Sequence, residues 1–441
     1  MPGDEPLRIA YLTYRGKPHV GGQGVYTRHV TKALVDLGHH VEVYAGQPYP
    51  IVDDQVPLHE LPSLDIYNDH FPMRMPGIWE LKSWEDWLEV TAFSCGTFPE
   101  PLAFSARAAR KLRRRVNDFD LVQDNQSLGY GLLAMQHFGL PVLATIHHPI
   151  TVDRRLEMEH AESAWERFSK SRWYGFTKMQ SRVAQRMPRV LTVSENSKKD
   201  IHSGHGVPLD RMHVVPVGVD QDLFRPLEHI EPVPGRLITT ASADVTMKGL
   251  RYLLEALAKL RTERDDVHLV VIGKKKEGGP SARTIDELGL ADHVEFVTGV
   301  PEQRIIELYS ESQVAVVPSL YEGFSLPAIE AMSCAVPVVA TTGGALPEVV
   351  GEDGVSALLV PPGDADALAA TIAAALDDPA LRAKVGAGGR QRVLDRWTWR
   401  HTAIGTIEQY RALLAESTGV EANRPGGRGA APRFRRGWQD S

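Results

Sequence analysis

Glu322 and Glu330 stand eight residues apart in the segment Val317-Pro318-Ser319-Leu320-Tyr321-Glu322-Gly323-Phe324-Ser325-Leu326-Pro327-Ala328-Ile329-Glu330-Ala331-Met332. An apolar run ends there in a glycine-containing loop, and Pro327 falls where the first turn of a helix can spare an N–H. One carboxylate then lies in the loop and the other a turn into the helix, so both can face one crevice. The open N–H groups of Phe324, Ser325 and Leu326 suit an anion or a ring of hydroxyls, and the helix dipole favours the anion. Either glutamate alone reads as a solvated charge. Together, on this loop, they read as a site for phosphate and polyol chemistry.

A site of this kind needs a parallel sheet behind it, because ligands of open α/β sheets bind beyond the carboxyl ends of the strands. Apolar runs rich in Val, Ile and Leu alternate with helical patterns along the chain, which predicts such sheets with helices on both faces. Leu7–Tyr14, Val41–Tyr44, Phe119–Gln123, Pro141–His147 and Val190–Val193 are predicted strands of one domain. After the glycine turn Gly21-Gly22-Gln23-Gly24, Tyr26, Val30, Ala33, Leu34 and Leu37 keep a helical period, and Gly38 closes it. Prolines 216, 226, 232 and 234 mark a linker, after which Leu237–Ala241, Val267–Ile272, Val294–Val297, Val314–Pro318 and Val336–Ala340 restart the rhythm. The expected organisation is therefore 1–230, 231–397, a last helix at 398–416, and a disordered basic tail at 417–441 rich in Gly, Pro and Arg.

The bulk numbers agree with two α/β domains. The chain has 441 residues, of which 43% are hydrophobic and 24% charged. Its net charge of −7, from 49 basic against 56 acidic residues, argues against a nucleic-acid partner. Two cysteines, Cys95 and Cys334, cannot make a disulfide scaffold and suit a reducing compartment. No apolar run approaches the ~20 residues of a bilayer span, and the start Met1-Pro2-Gly3-Asp4-Glu5-Pro6 lacks the features of a signal peptide. A cytoplasmic protein is expected.

The glutamate segment resembles the E-x7-E motif of retaining glycosyltransferases of family 4. These have the GT-B architecture, two Rossmann-like doubly wound domains facing across a cleft. Further segments carry the same resemblance: Gly21-Gly22-Gln23-Gly24-Val25-Tyr26, Thr145-Ile146-His147, Val219-Asp220 with Phe224, and Thr342-Gly343-Gly344-Ala345-Leu346-Pro347-Glu348. The pattern runs from about residue 7 to 415. It implies a donor site for a nucleotide-diphosphate sugar, with UDP the commonest base in the family, and α-linked transfer of a hexose-type sugar to a sugar or lipid-linked hydroxyl. Glu330 would hold the ribose, and Glu322 with the N–H groups of Phe324, Ser325 and Leu326 the transferred sugar. Lys248 would bind the diphosphate, Gly22 and Gln23 would add backbone donors to it, and His147 would sit beside the sugar ring. A cation and aimed N–H dipoles stabilise the leaving diphosphate by several kcal/mol.

One position departs from the family pattern: Ser242 stands where an arginine usually precedes the lysine by six residues. Lys274, Lys275 and Lys276, after the next strand, are the expected stand-ins, or a plain solvated turn. Asp118-Phe119-Asp120 and Asp364-Ala365-Asp366 spell the D-x-D of metal-dependent transferases. Asp364 reads better as a helix cap, no zinc set surrounds His147-His148, and no cofactor or metal is expected. A dehydrogenase fingerprint fails because Thr27 replaces its third glycine. For the acceptor, Tyr26, Trp79, Trp84 and Trp87 offer flat faces to sugars or apolar aglycones, although an insertion packed on its own tryptophans explains the last three equally. The basic stretch Arg107–Arg115 reads either as a solvated helix face or as a peripheral contact with anionic lipid at the inner membrane face. Two rival functions share the architecture: a nucleotide-sugar epimerase or hydrolase, and a non-catalytic nucleotide-sugar-binding protein.

Overall fold

The computed structural model describes residues 5–16, 22–67, 73–159, 161, 163–241 and 245–422. The strands form two parallel sheets. The first, in spatial order β3-β2-β1-β4-β5-β6-β7, comprises β1 (Arg8–Thr13), β2 (His40–Ala45), β3 (Leu58–Glu60), β4 (Leu121–Asn125), β5 (Val142–Thr145), β6 (Arg189–Thr192) and β7 (Met212–Val214). The second, ordered β10-β9-β8-β11-β12-β13, comprises β8 (Arg236–Thr240), β9 (His268–Ile272), β10 (Val294–Val297), β11 (Val314–Val317), β12 (Val338–Thr341) and β13 (Leu358–Val360). Central strands are buried because both faces are covered: β1 buries Ile9 to Leu12, β11 buries Val314 to Val317, and β4 buries even Gln123, Asp124 and Asn125.

Strand order reverses between β1 and β4 and again between β8 and β11. At each reversal the loops leaving neighbouring strands go opposite ways and open a crevice. The E-x7-E segment is the loop after β11, and Lys248 follows β8, so the second reversal gathers both. Helix Leu250–Leu260 supports that edge by burying Leu250, Leu253, Leu254, Ala256, Leu257 and Leu260.

Compact packing divides the chain into two units, 1–145 with 162–190 and 405–441, and 146–161 with 191–404. The strands do restart after 230, but the packing division is not a single cut near that point. The last helix runs Trp399–Ala422, past the expected end at 416. The rest of the expected tail, 423–441, lies outside the described residues.

Among the described residues, two α-helices lie between β3 and β4. Helix Trp84–Ser94 starts on a Ser83 cap, whose hydroxyl accepts from the Asp86 N–H while the Asp86 carboxylate returns a bond to the Ser83 N–H at 2.8 Å. It packs on helix Glu100–Arg113. Arg107 reaches Asp86 at 2.7 Å and Glu89 at 2.6 Å, and Arg110 reaches Glu85 at 2.8 Å. Burial pushes the Glu89 carboxyl above its usual range, with the Arg107 guanidinium pulling it back. This corrects the lipid-facing reading of Arg107–Arg115. Arg107 is buried, Arg110 is tied to Glu85, and Arg115 is tied to Glu42 at 2.6 Å and Asp118 at 2.6 Å. Only Lys111, Arg113 and Arg114 of that basic set stand exposed without an ion pair of this kind.

Candidate functional site

The loop after β8 and the loop after β11 are joined at the backbone: the Leu320 N–H donates to the Met247 carbonyl at 2.8 Å. Gly249, at φ +66, makes the approach possible, since a Cβ there would stand 1.9 Å from the Pro318 oxygen. The Lys248 ammonium consequently meets the Glu322 carboxylate at 2.8 Å, and the Ser319 hydroxyl donates to the same oxygen at 2.8 Å. From the other side the Ala345 N–H donates to the Glu322 carbonyl at 2.8 Å. Gly344, at φ +63, lies so close that a Cβ would be 2.3 Å from that carbonyl oxygen. Glu322 is thus held by its carboxylate and its backbone at once.

Ser325 precedes helix Leu326–Ser333 at φ +102 and ψ 88, a left-sided conformation that L-residues rarely take. Its hydroxyl is buried and makes no hydrogen bond. One turn into the helix, Glu330 accepts from the Tyr309 hydroxyl at 3.4 Å. Burial raises the Glu330 carboxyl to about 7, a shift the Tyr309 bond partly offsets. The arrangement provides one carboxylate bound to an ammonium, a second near its titration point, and a helix N-terminus between them.

His147 follows β5 and is partly exposed. Burial holds its imidazole down to about 4, so the ring is neutral near pH 7. Its carbonyl lies beside Gly323, 3.9 Å from where a Cβ on that glycine would be. Helix Glu195–His205 meets the same loop. The Ser194 and Ser197 hydroxyls donate to the Gly323 carbonyl at 2.6 and 3.1 Å, and the Asn196 amide donates to the Tyr321 hydroxyl at 2.7 Å. The Glu195 N–H donates to the Glu348 carboxylate at 3.1 Å. The sequence reading missed Ser194, Asn196, Ser197 and Tyr309. Ser-Glu-Asn-Ser is recognisable as a helix cap, but nothing in it names the loop it grips.

The remaining expected residues fall out as follows. Gly22 and Gln23 open helix Gly22–Asp36 in the first unit, Gly22 exposed. Ser242 lies outside the described residues. Lys274, Lys275 and Lys276 are exposed beyond β9, which pairs in parallel with β8. Tyr26 corrects the acceptor reading: it is 2% exposed, and Thr406 and Gln123 engage its hydroxyl, so it has no face to offer. Trp79, Trp84 and Trp87 are exposed. Asp364 caps its helix through the Ala367 N–H at 2.9 Å, Asp120 pairs with Arg8 at 2.7 Å, and Asp118 pairs with Arg115. Among the described residues no group of His, Cys, Asp and Glu could hold a metal ion, and no helix is long and apolar enough to cross a membrane.

Two family models match the chain: "Glycosyltransferase Family 4" over residues 20–223 and "Glycosyl transferases group 1" over residues 228–392. The chain belongs to glycosyltransferase family 4 and has the GT-B fold. It is 47% identical over 93% of its length to the "MMP alpha-(1->4)-mannosyltransferase" of Mycolicibacterium hassiacum, covering 99% of that protein. It is 31% identical over 48% of its length to the "GDP-mannose-dependent alpha-(1-6)-phosphatidylinositol monomannoside mannosyltransferase" of Mycolicibacterium smegmatis, covering 59% of it. Among solved structures, the sucrose-phosphate synthase of Thermosynechococcus elongatus matches with a TM-score of 0.69 and 24% identity over 93% of this chain and 100% of that one.

Proposed function

We propose that this glycosyltransferase moves mannose from GDP-mannose to a hydroxyl of a carbohydrate acceptor, with retention to an α-linkage and without an essential metal. The observation that carries the reading is the near full-length 47% identity to an α-mannosyltransferase, joined to a site whose groups match the parts of such a donor. It favours mannose over a generic hexose, and the GDP-mannose named for the Mycolicibacterium smegmatis relative favours GDP over the UDP that family frequency alone suggests.

In this reading Glu330 accepts from the ribose hydroxyls. Lys248 leaves Glu322 for the diphosphate and neutralises charge that grows as the sugar departs. Glu322, freed of its ammonium, accepts from hydroxyls of the sugar, oriented by its backbone bond from Ala345. The N–H groups of Phe324 to Leu326 supply dipoles to the same ring. Neutral His147 lines the sugar and neither takes nor gives charge. The acceptor's proton passes to the leaving phosphate oxygen on the same face, so no protein nucleophile is needed.

The test is thermal shift with GDP, UDP, ADP and dTDP, then product analysis by NMR with the matching mannose and glucose donors. A nucleotide at 100 times its Kd should add about 2.7 kcal/mol to stability. We expect GDP to shift wild type and to shift Glu330→Ala far less, and the product's anomeric signal to be α. Stabilisation by UDP alone, or a β product, would overturn the donor or the stereochemistry respectively. Mannose release at an unchanged rate with or without acceptor would mark a hydrolase.

A further inference from the structure

Helix Trp84–Ser94 is turned inside out. Its acidic residues face inward, with Glu85 0% and Glu89 1% exposed, while Trp84 and Trp87 are 57% and 54% exposed. Three residues apart, the two tryptophans share one face of the helix. Just before them the turn Ile78–Glu80 leaves Ile78 and Trp79 77% and 82% exposed, and Met73 and Met75 are also exposed. An amphipathic helix normally buries the reverse face. Here Arg107 and Arg110 fix the acidic side inward through the ion pairs described above, so the aromatic side is held outward by design of the packing. An exposed apolar run of this kind marks a surface that binds something.

We propose that this face is an extended acceptor site for an uncharged glycan chain, the rings of Trp79, Trp84 and Trp87 stacking on the apolar C–H faces of successive sugars. The inference rests on the glycosyltransferase reading and names the acceptor class for it. Charge selects the occupant. The carboxylates of the stretch are spent internally: Asp86 and Glu89 on Arg107, Glu85 on Arg110, and Glu80 on Arg74 at 2.7 Å. Lys82 is the one exposed cation among the described residues 73–95. Within this stretch a phosphate-bearing chain or an anionic headgroup finds that single counter-charge, with the exposed Lys111, Arg113 and Arg114 on or just after the neighbouring helix Glu100–Arg113, whereas a neutral sugar chain needs none. Size selects against a second copy of the chain. Six exposed apolar side chains fall well short of the ~20–30 residues a side of a stable protein interface.

The experiment titrates the full chain, without donor, with ladders of α-(1→4)-mannooligosaccharides and malto-oligosaccharides from two to ten sugars. Calorimetry reads Kd. Wild-type affinity should rise with chain length, and Trp84→Ser/Trp87→Ser should lose that dependence, weakening the longest ligand roughly ten-fold, the equivalent of about 1.4 kcal/mol. Trp79→Ser, outside the helix, should do the same in part, and far-UV circular dichroism checks that both variants fold. Glu330→Ala should keep the length dependence, because the glycan face does not use the nucleotide site. Length-independent or absent binding of both ladders in wild type overturns the proposal while leaving the donor reading intact if GDP still stabilises. Equal affinity in wild type and the double variant overturns it too. So would tryptophan-dependent co-sedimentation with phosphatidylcholine or phosphatidylglycerol vesicles, or a tryptophan-dependent dimer in ultracentrifugation, since either names another occupant.

Discussion

Lys248 and Glu322 act as one unit, so removing either exposes what the other does. If Lys248 serves the diphosphate as proposed, Lys248→Ala should lower kcat by about 10²–10³, the range for losing one aimed donor from a preorganised site. Steady-state kinetics of the double variant with Glu322→Gln should show less than the sum of the single losses. Glu330 carries a pH signature. Its folded carboxyl titrates near 7, above the ordinary 4.5, so its contribution to folding is present below 4.5 and is lost as pH rises through about 7. Nucleotide binding runs the other way. With Glu330 on the ribose as proposed, the hydroxyls prefer its carboxylate, so affinity for the nucleoside diphosphate should tighten from pH 6 to 8 and flatten above; Glu330→Gln should be flat throughout. His147, held to about 4, should add no inflection near 6.5. Ser325→Gly should stabilise the fold by about 1 kcal/mol in urea titration, because glycine takes φ +102 without strain. Much of this site was legible in the sequence because one short segment carries it, with Gly323 and Pro327 marking where loop becomes helix. Tyr309 and Ser194 were not, because only the fold brings them to Glu330 and Gly323.

Elements show the same division. The long central strands were read within a residue or two, since most strands buried on both faces are apolar runs; the polar end of β4, Asp124 and Asn125, is where the reading stopped short. β3, β7 and β13 were missed, each three residues long and too short to show any period. The helix Trp84–Ser94 was not recognised for a different reason: its buried face is acidic, Glu85 and Glu89, and is held inward by cations such as Arg107, some twenty residues later, so no apolar stripe marks it. That dependence can be broken. Arg107→Ala leaves Glu89 buried without its guanidinium and should cost about 3–5 kcal/mol, read as a lower urea midpoint, with the tryptophan emission changing as the helix loosens. Gly249→Ala should be as damaging locally. Its Cβ has no room beside the Pro318 carbonyl, so the junction of the two loops must open and nucleotide affinity should fall even where the fold survives.

At the scale of the whole molecule, chain order and packing order disagree. The first unit takes residues 405–441 from the far end of the sequence. Within it Tyr410 and Leu413 are fully buried, and Arg189 donates to Gln409 at 2.6 Å. A fragment ending at the proline-rich linker, residues 1–230, should therefore be expressed as an aggregating species lacking a cooperative melt. Supplying residues 231–441 in trans should recover soluble protein. A truncation after Ile404 in the otherwise intact chain should fail in the same way. On the ribosome this arrangement imposes a delay. Residues 1–190 emerge with a seam of their core uncovered, and the segment that closes it begins only at Gly405. At ~5–20 residues per second the gap amounts to roughly 10–40 s. The domain that is synthesised first is the last to be finished, and for that interval its exposed core is the part of the nascent chain most in need of a chaperone.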